Sequence, residues 1–143
     1  MRAAVRALAV HGLEVERVSR LLPTAPLGPG GRRFANAALV ARWTGDARTL
    51  LRVLKAVERE FGRRGGRRWG DRVLDLDILG LGDVVMRAPG LSLPHPALHL
   101  RRFVLDPLAQ VAPDWRHPVQ NATVRQLRAR LLRPKRAIPR VGP

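Results

Sequence analysis

Arg68-Trp69-Gly70-Asp71-Arg72-Val73-Leu74-Asp75-Leu76-Asp77-Ile78-Leu79 sets two carboxylates two positions apart in an apolar run, directly behind a loop rich in arginine and glycine. Residues i and i+2 of a strand project to the same face. The spacing therefore predicts a strand over 73–79 with Asp75 and Asp77 on one face and Leu74, Leu76 and Ile78 on the other. Adjacent carboxylates repel unless a cation lies between them. Mg²⁺, which takes oxygen ligands and shares them with phosphates, suits such a face. Polar and apolar residues also alternate in any sheet with one solvated face, and at this point both readings stand.

Outward from this run, extended pieces alternate with helices. Residues 1–10 read as a helix with Ala4, Val5 and Leu8 on one side, closed by Gly12. Residues 13–22 read as a strand carrying the branched Val15 and Val18. Pro23-Thr24-Ala25-Pro26-Leu27-Gly28-Pro29-Gly30-Gly31 holds too much proline and glycine for regular structure, and exposed loops of this length often carry function. Residues 34–44 predict a strand leading to a helix start. Asp46 is its N-cap, and Leu50, Leu51, Leu54, Val57 and Phe61 keep helical spacing up to Gly62. Residues 63–70 then form the basic loop. Beyond the Asp-bearing strand, residues 80–83 make a turn and 84–86 a short returning strand. Pro94-His95-Pro96 is a second fixed loop, and residues 101–111 predict a helix broken or restarted at Pro107. Thr123-Val124-Arg125-Gln126 is a capping box opening a last helix through Leu132. Antiparallel hairpins covered by helices make the class α+β, with one domain over residues 1–133 and a frayed Pro- and Arg-rich tail at 134–143.

Composition narrows the partners. A chain of 143 residues can bury one core. Apolar residues at 45% and charged residues at 27% fit a globular protein, and no apolar run approaches the ~20 residues of a membrane helix. Its first residues lack the order of a secretory signal, so the cytoplasm is the expected location. Cysteine is absent, which excludes disulfides and thiolate zinc sites. The formal net charge of +16, nearly all from arginine, favours nucleic acid, nucleotide or acidic lipid. A genome-wide bias toward arginine codons would give the same composition. Aromatic residues at 4%, with no tyrosine, offer few stacking platforms and argue against nucleic acid.

The run at 68–79 resembles the signature of the 6-hydroxymethyl-7,8-dihydropterin pyrophosphokinases, enzymes of folate biosynthesis. Thr24-Ala25-Pro26-Leu27-Gly28 resembles the family's pterin-side loop, and Phe34-Ala35-Asn36-Ala37 its next motif. Pro94-His95-Pro96-Ala97-Leu98-His99-Leu100-Arg101-Arg102-Phe103-Val104-Leu105 is similar to the segment that closes on both substrates. Pro107-Leu108-Ala109 and Ala112-Pro113-Asp114 continue it, so that the resemblance covers residues 1–132. The joint match is specific, while any single piece is weak.

What the resemblance implies is a ferredoxin-like α/β sandwich and a diphosphoryl transfer. ATP, the co-substrate, would give its β- and γ-phosphates as one unit to the hydroxymethyl oxygen of the pterin, and AMP would leave. Asp75 and Asp77 would hold two Mg²⁺ ions that neutralise and align the phosphates. Arg63 and Arg72 match the catalytic arginines, each able to grip two phosphate oxygens. Glu58, Arg68, Trp69, Ile78, His95 and Arg101 match ATP contacts. On the pterin side stand Thr24, Leu27, Phe34, Asn36 and Phe103, the two rings sandwiching the flat heterocycle and Asn36 meeting its edge. Taken singly these residues have plainer readings. His95 is then a turn cap, Phe34 and Phe103 are core, and Arg63, Arg64, Arg67 and Arg68 are a solvated run. Trp43 and Trp115 read as packing residues, and His11, His99 and His117 carry no role.

The chain also departs from the family pattern. Family members open with a strand, a Gly-Ser-Asn-type turn and a full helix, and residues 1–5 resemble the second half of that helix. The expectation is that the first strand, interior in the family's sheet, is missing, through a start codon placed too late or a true truncation. Asp71 stands where proline is common, and Lys55 and Gly90 where other ATP-contact residues are frequent. Three functions are carried forward: the enzyme, acting on small molecules beside neighbouring folate-pathway enzymes; an Arg-rich nucleic-acid-binding module on the same fold; and an inactive remnant.

Overall fold

Helix α1 (Arg2–Val10) turns Ala4 and Leu8 inward. It ends in a Schellman motif, in which the Leu13 N–H donates to the Leu8 carbonyl at 3.1 Å and the Gly12 N–H to that of Ala9 at 3.1 Å. Gly12 adopts the left-handed φ of +97° that this closure requires. The computed structural model describes residues 1–24, 34–64 and 74–134, without the side chains of Thr24, Phe34, Arg63 and Arg64.

The long strands expected over 13–22 and 34–44 each break in two. Strand β1 (Glu14–Val18) is followed by β2 (Leu22–Thr24), and β3 (Phe34–Asn36) by β4 (Leu39–Arg42). β1 pairs antiparallel with β4, and β2 with β3, where Thr24 lies opposite Phe34 and Leu22 opposite Asn36. Ser19 causes the shared break. Its buried hydroxyl accepts the Ala38 N–H at 2.8 Å and donates to the Arg20 carbonyl at 2.9 Å, replacing ladder bonds at the kink.

Helix α2 (Ala47–Arg64) starts at Asp46, whose Oδ1 accepts the Thr49 N–H at 2.7 Å. Hydrogen bonds from the Thr49 backbone and hydroxyl hold that carboxyl below the usual carboxylate range. Contrary to the expected stop at Gly62, the helix runs on, so Arg63 belongs to its last turn and not to the basic loop. Glycine inside a helix costs only ~1 kcal/mol against alanine, far less than burial of Leu50, Leu54 and Val57 contributes.

Over its described part, the strand expected at 73–79 does not form: residues 74–80 join no ladder. Its two-residue alternation is kept all the same. Leu74, Leu76 and Ile78 are half-buried against the cluster of Leu8, Leu13, Leu50, Leu54 and Val57, while Asp75 and Asp77 are exposed. Sheet pairing needs a neighbouring backbone edge, and here a groove of about 710 Å³ opens between this segment and β4. The strand expected to return over 84–86 does not pair with that segment; β5 (Met86–Ala88) instead pairs forward with β6 (Leu91–Leu93) through a turn with Gly90 at φ +75°.

A 3₁₀ turn over Leu98–Leu100 precedes helix α3 (Arg102–Val111), which passes through Pro107 unbroken. Leu105, Pro107, Leu108 and Val111 are all buried, and that packed face outweighs the one lost backbone bond. Hairpin β7 (Arg116–His117) and β8 (Ala122–Thr123) leads into helix α4 (Val124–Leu132). Its capping box forms as expected, Thr123 Oγ1 taking the Gln126 N–H at 3.2 Å and Gln126 Oε1 the Thr123 N–H at 2.9 Å. The α+β class holds, with antiparallel pairing in two-stranded pieces. Among the described residues no helix is long and apolar enough to cross a membrane. The tail at 135–143 lies outside them.

His117, given no role by the sequence, closes the β7–β8 turn. Its buried ring accepts the N–H groups of Val119 at 3.2 Å and Gln120 at 3.0 Å on one nitrogen, Nδ1. Burial, and secondly the neighbouring His99 ring 5.7 Å away, push its pKa below the ordinary value of 6.5. The folded state therefore binds fewer protons than the unfolded chain as pH falls below about 6.5. Stability should be full above that pH and decline from there toward the lower folded pKa. Urea midpoints from pH 8 to 5 should show this fall, and His117→Asn should flatten it.

Candidate functional site

Residues 74–82 are pinned at successive points. The Leu76 N–H donates to Glu58 Oε2 of α2 at 2.8 Å. The Leu79 carbonyl accepts the His95 N–H at 2.8 Å. The Gly82 carbonyl accepts the Trp115 indole N–H at 3.1 Å. Leu79 also packs into the second cluster, built on Leu98, Leu105, Leu108 and Val111. These contacts make the segment a fixed rail between α2 on one side and α3 with its following loop on the other. Asp75 and Asp77 are exposed on this rail, and the rail lines the groove together with β4.

The donor set decides what this rail can hold. Among the described residues no three His, Cys, Asp or Glu groups converge on one point. A closed protein cage such as structural zinc uses is therefore not formed by them. A pair of exposed carboxylates fits Mg²⁺, which keeps several waters and takes its remaining oxygens from a nucleotide's phosphates.

The other predicted residues gather around the rail in part. Ile78 is half-buried beside Leu81, against the cluster of Ala47, Leu91 and Leu93. His95 Nδ1 accepts the Ala97 N–H at 3.3 Å, so the plainer reading as a turn cap holds. That bond leaves the proton of a neutral ring on Nε2, a donor suited to a phosphate oxygen. Phe103 is not core: it is 46% exposed on the first turn of α3, with the Arg101 guanidinium 5.7 Å above its ring. α3, which carries Phe103, packs on β3, the strand of Phe34 and Asn36. Asn36 is half-buried there. The backbones of Thr24 and Phe34 are paired in the β2–β3 ladder. Leu27, Arg68, Trp69 and Arg72, with the side chains of Arg63, Thr24 and Phe34, lie outside the described residues.

One assignment takes a different form. Glu58, matched to a nucleotide contact, has both oxygens engaged within the protein: Oε2 on Leu76 and Oε1 3.2 Å from Lys55 Nζ. Its side chain is 10% exposed. Sequence reasoning also missed Trp115 as a brace for residues 80–82. The i,i+3 spacing of Lys55 and Glu58 was a legible sign of their pairing, while Trp115 carried no such sign.

A model of the 7,8-dihydro-6-hydroxymethylpterin-pyrophosphokinase family matches residues 1–113. The chain belongs to that family. It is 39% identical over 128 residues to a 2-amino-4-hydroxy-6-hydroxymethyldihydropteridine pyrophosphokinase of Synechocystis, covering 89% of this chain and 66% of the relative. A protein of the same name from Pseudomonas aeruginosa is 44% identical over 102 residues, 71% of this chain and 63% of its own length. The chain thus spans slightly under two thirds of these pyrophosphokinases. A mitochondrial folate synthesis bifunctional protein of Arabidopsis thaliana is 40% identical over 124 residues, covering 86% of this chain and 22% of that protein.

Proposed function

We propose that the chain transfers the β,γ-diphosphate of ATP to the hydroxymethyl oxygen of 6-hydroxymethyl-7,8-dihydropterin, releasing AMP. The observation that carries this reading is the pinned rail presenting Asp75 and Asp77 to solvent from one face. These carboxylates would hold two Mg²⁺ ions, which when bound neutralise the phosphates and favour attack at the β-phosphorus. The chain's own residues do the rest by placement. Arg63 and Arg72 would grip the transferring group. Arg68, Trp69, Ile78, His95 and Arg101 would seat the nucleotide, His95 through its Nε2–H. The exposed Phe103 ring, with Phe34, would sandwich the pterin, and Asn36, Thr24 and Leu27 would meet its edge. The Arg101 cation over Phe103 would tie the two substrate sides together. The reading includes the cytoplasm as the place of action, a single domain over residues 1–133, and adjacent folate-pathway enzymes as neighbours.

The test is AMP release from MgATP with and without the pterin. AMP should form only when both are present, in a one-to-one ratio with pterin diphosphate. A purified chain that forms no AMP yet binds RNA tightly at moderate salt would favour the nucleic-acid reading, for which the +16 charge speaks.

A further inference from the structure

We propose that Glu58 is a positioning residue: by accepting the Leu76 N–H, it fixes how Asp75 and Asp77 face a divalent cation. The inference rests on the reading of those two aspartates as cation ligands. Leu76 lies between them in sequence, so its backbone angles set their mutual direction. No sheet ladder holds residues 74–80, and at Leu76 a side chain supplies the acceptor a neighbouring strand would otherwise give. Glu58 suits that task. It follows Leu51 and Leu54 by seven and four positions, on the stripe of α2 that packs against this segment. A carboxylate 10% exposed is tolerated only when its charge and lone pairs are met. Lys55 meets one oxygen and the Leu76 amide the other, so the charge and both oxygens have partners within the protein. The second pin, His95 N–H to Leu79 carbonyl, holds the rail just past Asp77.

The experiment measures Mn²⁺ uptake by electron paramagnetic resonance with a non-hydrolysable ATP analogue, alongside binding of the same analogue in EDTA. Glu58→Ala should weaken Mn²⁺ binding ~10-fold, as loss of a partner that orients a metal ligand does, and leave metal-free nucleotide affinity within about twofold. Amide hydrogen exchange at Leu76 should quicken. Glu58→Gln, whose carboxamide oxygen still accepts the N–H, should recover Mn²⁺ affinity to within about threefold of wild type. Glu58→Met, close in volume and lacking the acceptor, gives the same test should the alanine variant fail to fold. Equal Mn²⁺ affinity in wild type and the Ala and Met variants would overturn the proposal. So would an equal loss of metal-free nucleotide binding, which would make Glu58 a direct contact. Wild-type protein that takes up no Mn²⁺ with nucleotide would overturn the cation reading itself, a result visible without any variant.

Discussion

Asp77→Ala should lower AMP formation by about 1,000-fold or more while leaving the fold intact. Divalent cations at a transferring phosphate contribute several kcal/mol to the transition state, and ~4 kcal/mol corresponds to roughly three orders of magnitude in rate. Asp77 is exposed, and removing one of two neighbouring carboxylates relieves repulsion in the metal-free protein. Stability should therefore stay within about 0.5 kcal/mol of wild type. The loss should appear in the maximal rate at saturating ATP and pterin, with the far-ultraviolet spectrum and melting temperature preserved. Asp83→Ala serves as the control: it removes an exposed carboxylate in the turn just beyond the rail and should leave turnover unchanged. Turnover of Asp77→Ala within threefold of wild type would return the Asp-x-Asp pair to an ordinary solvated face.

The Asp75–Asp77 alternation was legible because it depends only on side-chain direction along an extended chain, and the structure keeps it without the ladder that usually enforces it. What local pattern did not reveal was the absence of that ladder, since pairing is decided by which backbone edge lies alongside. Helices with strong local signals came through: the Asp46 cap, the Thr123–Gln126 box and the Gly12 stop are all formed. Gly62 and Pro107 carry equally strong breaker signals and failed to break anything, because buried leucines and valines on each helix decide continuity. Ser19 shows the reverse case, a weak local signal that splits two strands through one buried hydroxyl. The exposure of Phe103 and the engagement of Glu58 depend on elements far apart in the chain. The plain core reading of Phe103 therefore had to wait for the fold.

Gly80→Ala should destabilise the protein by about 1–3 kcal/mol, the usual cost of an added methyl where no space exists. A Cβ at Gly80 would lie 2.6 Å from Cζ2 and 2.7 Å from Cη2 of Trp115. The indole has little freedom to withdraw. Its N–H is committed to the Gly82 carbonyl, the backbone carbonyl of Trp115 accepts the Val124 N–H at 3.0 Å, and the residue packs on the cluster of Leu98, Leu105 and Leu108. The displacement thus falls on residues 79–82, immediately behind Asp77, and AMP formation should drop together with the melting temperature. Trp115→Phe removes the distant ring atoms and the indole donor and should be destabilising alone. Combined, the two changes should cost less than their sum by about 1 kcal/mol or more, because the new methyl occupies the space the indole leaves. Strict additivity in a double-mutant cycle, read by urea denaturation, would mean that glycine at this position is not dictated by the tryptophan that braces the rail.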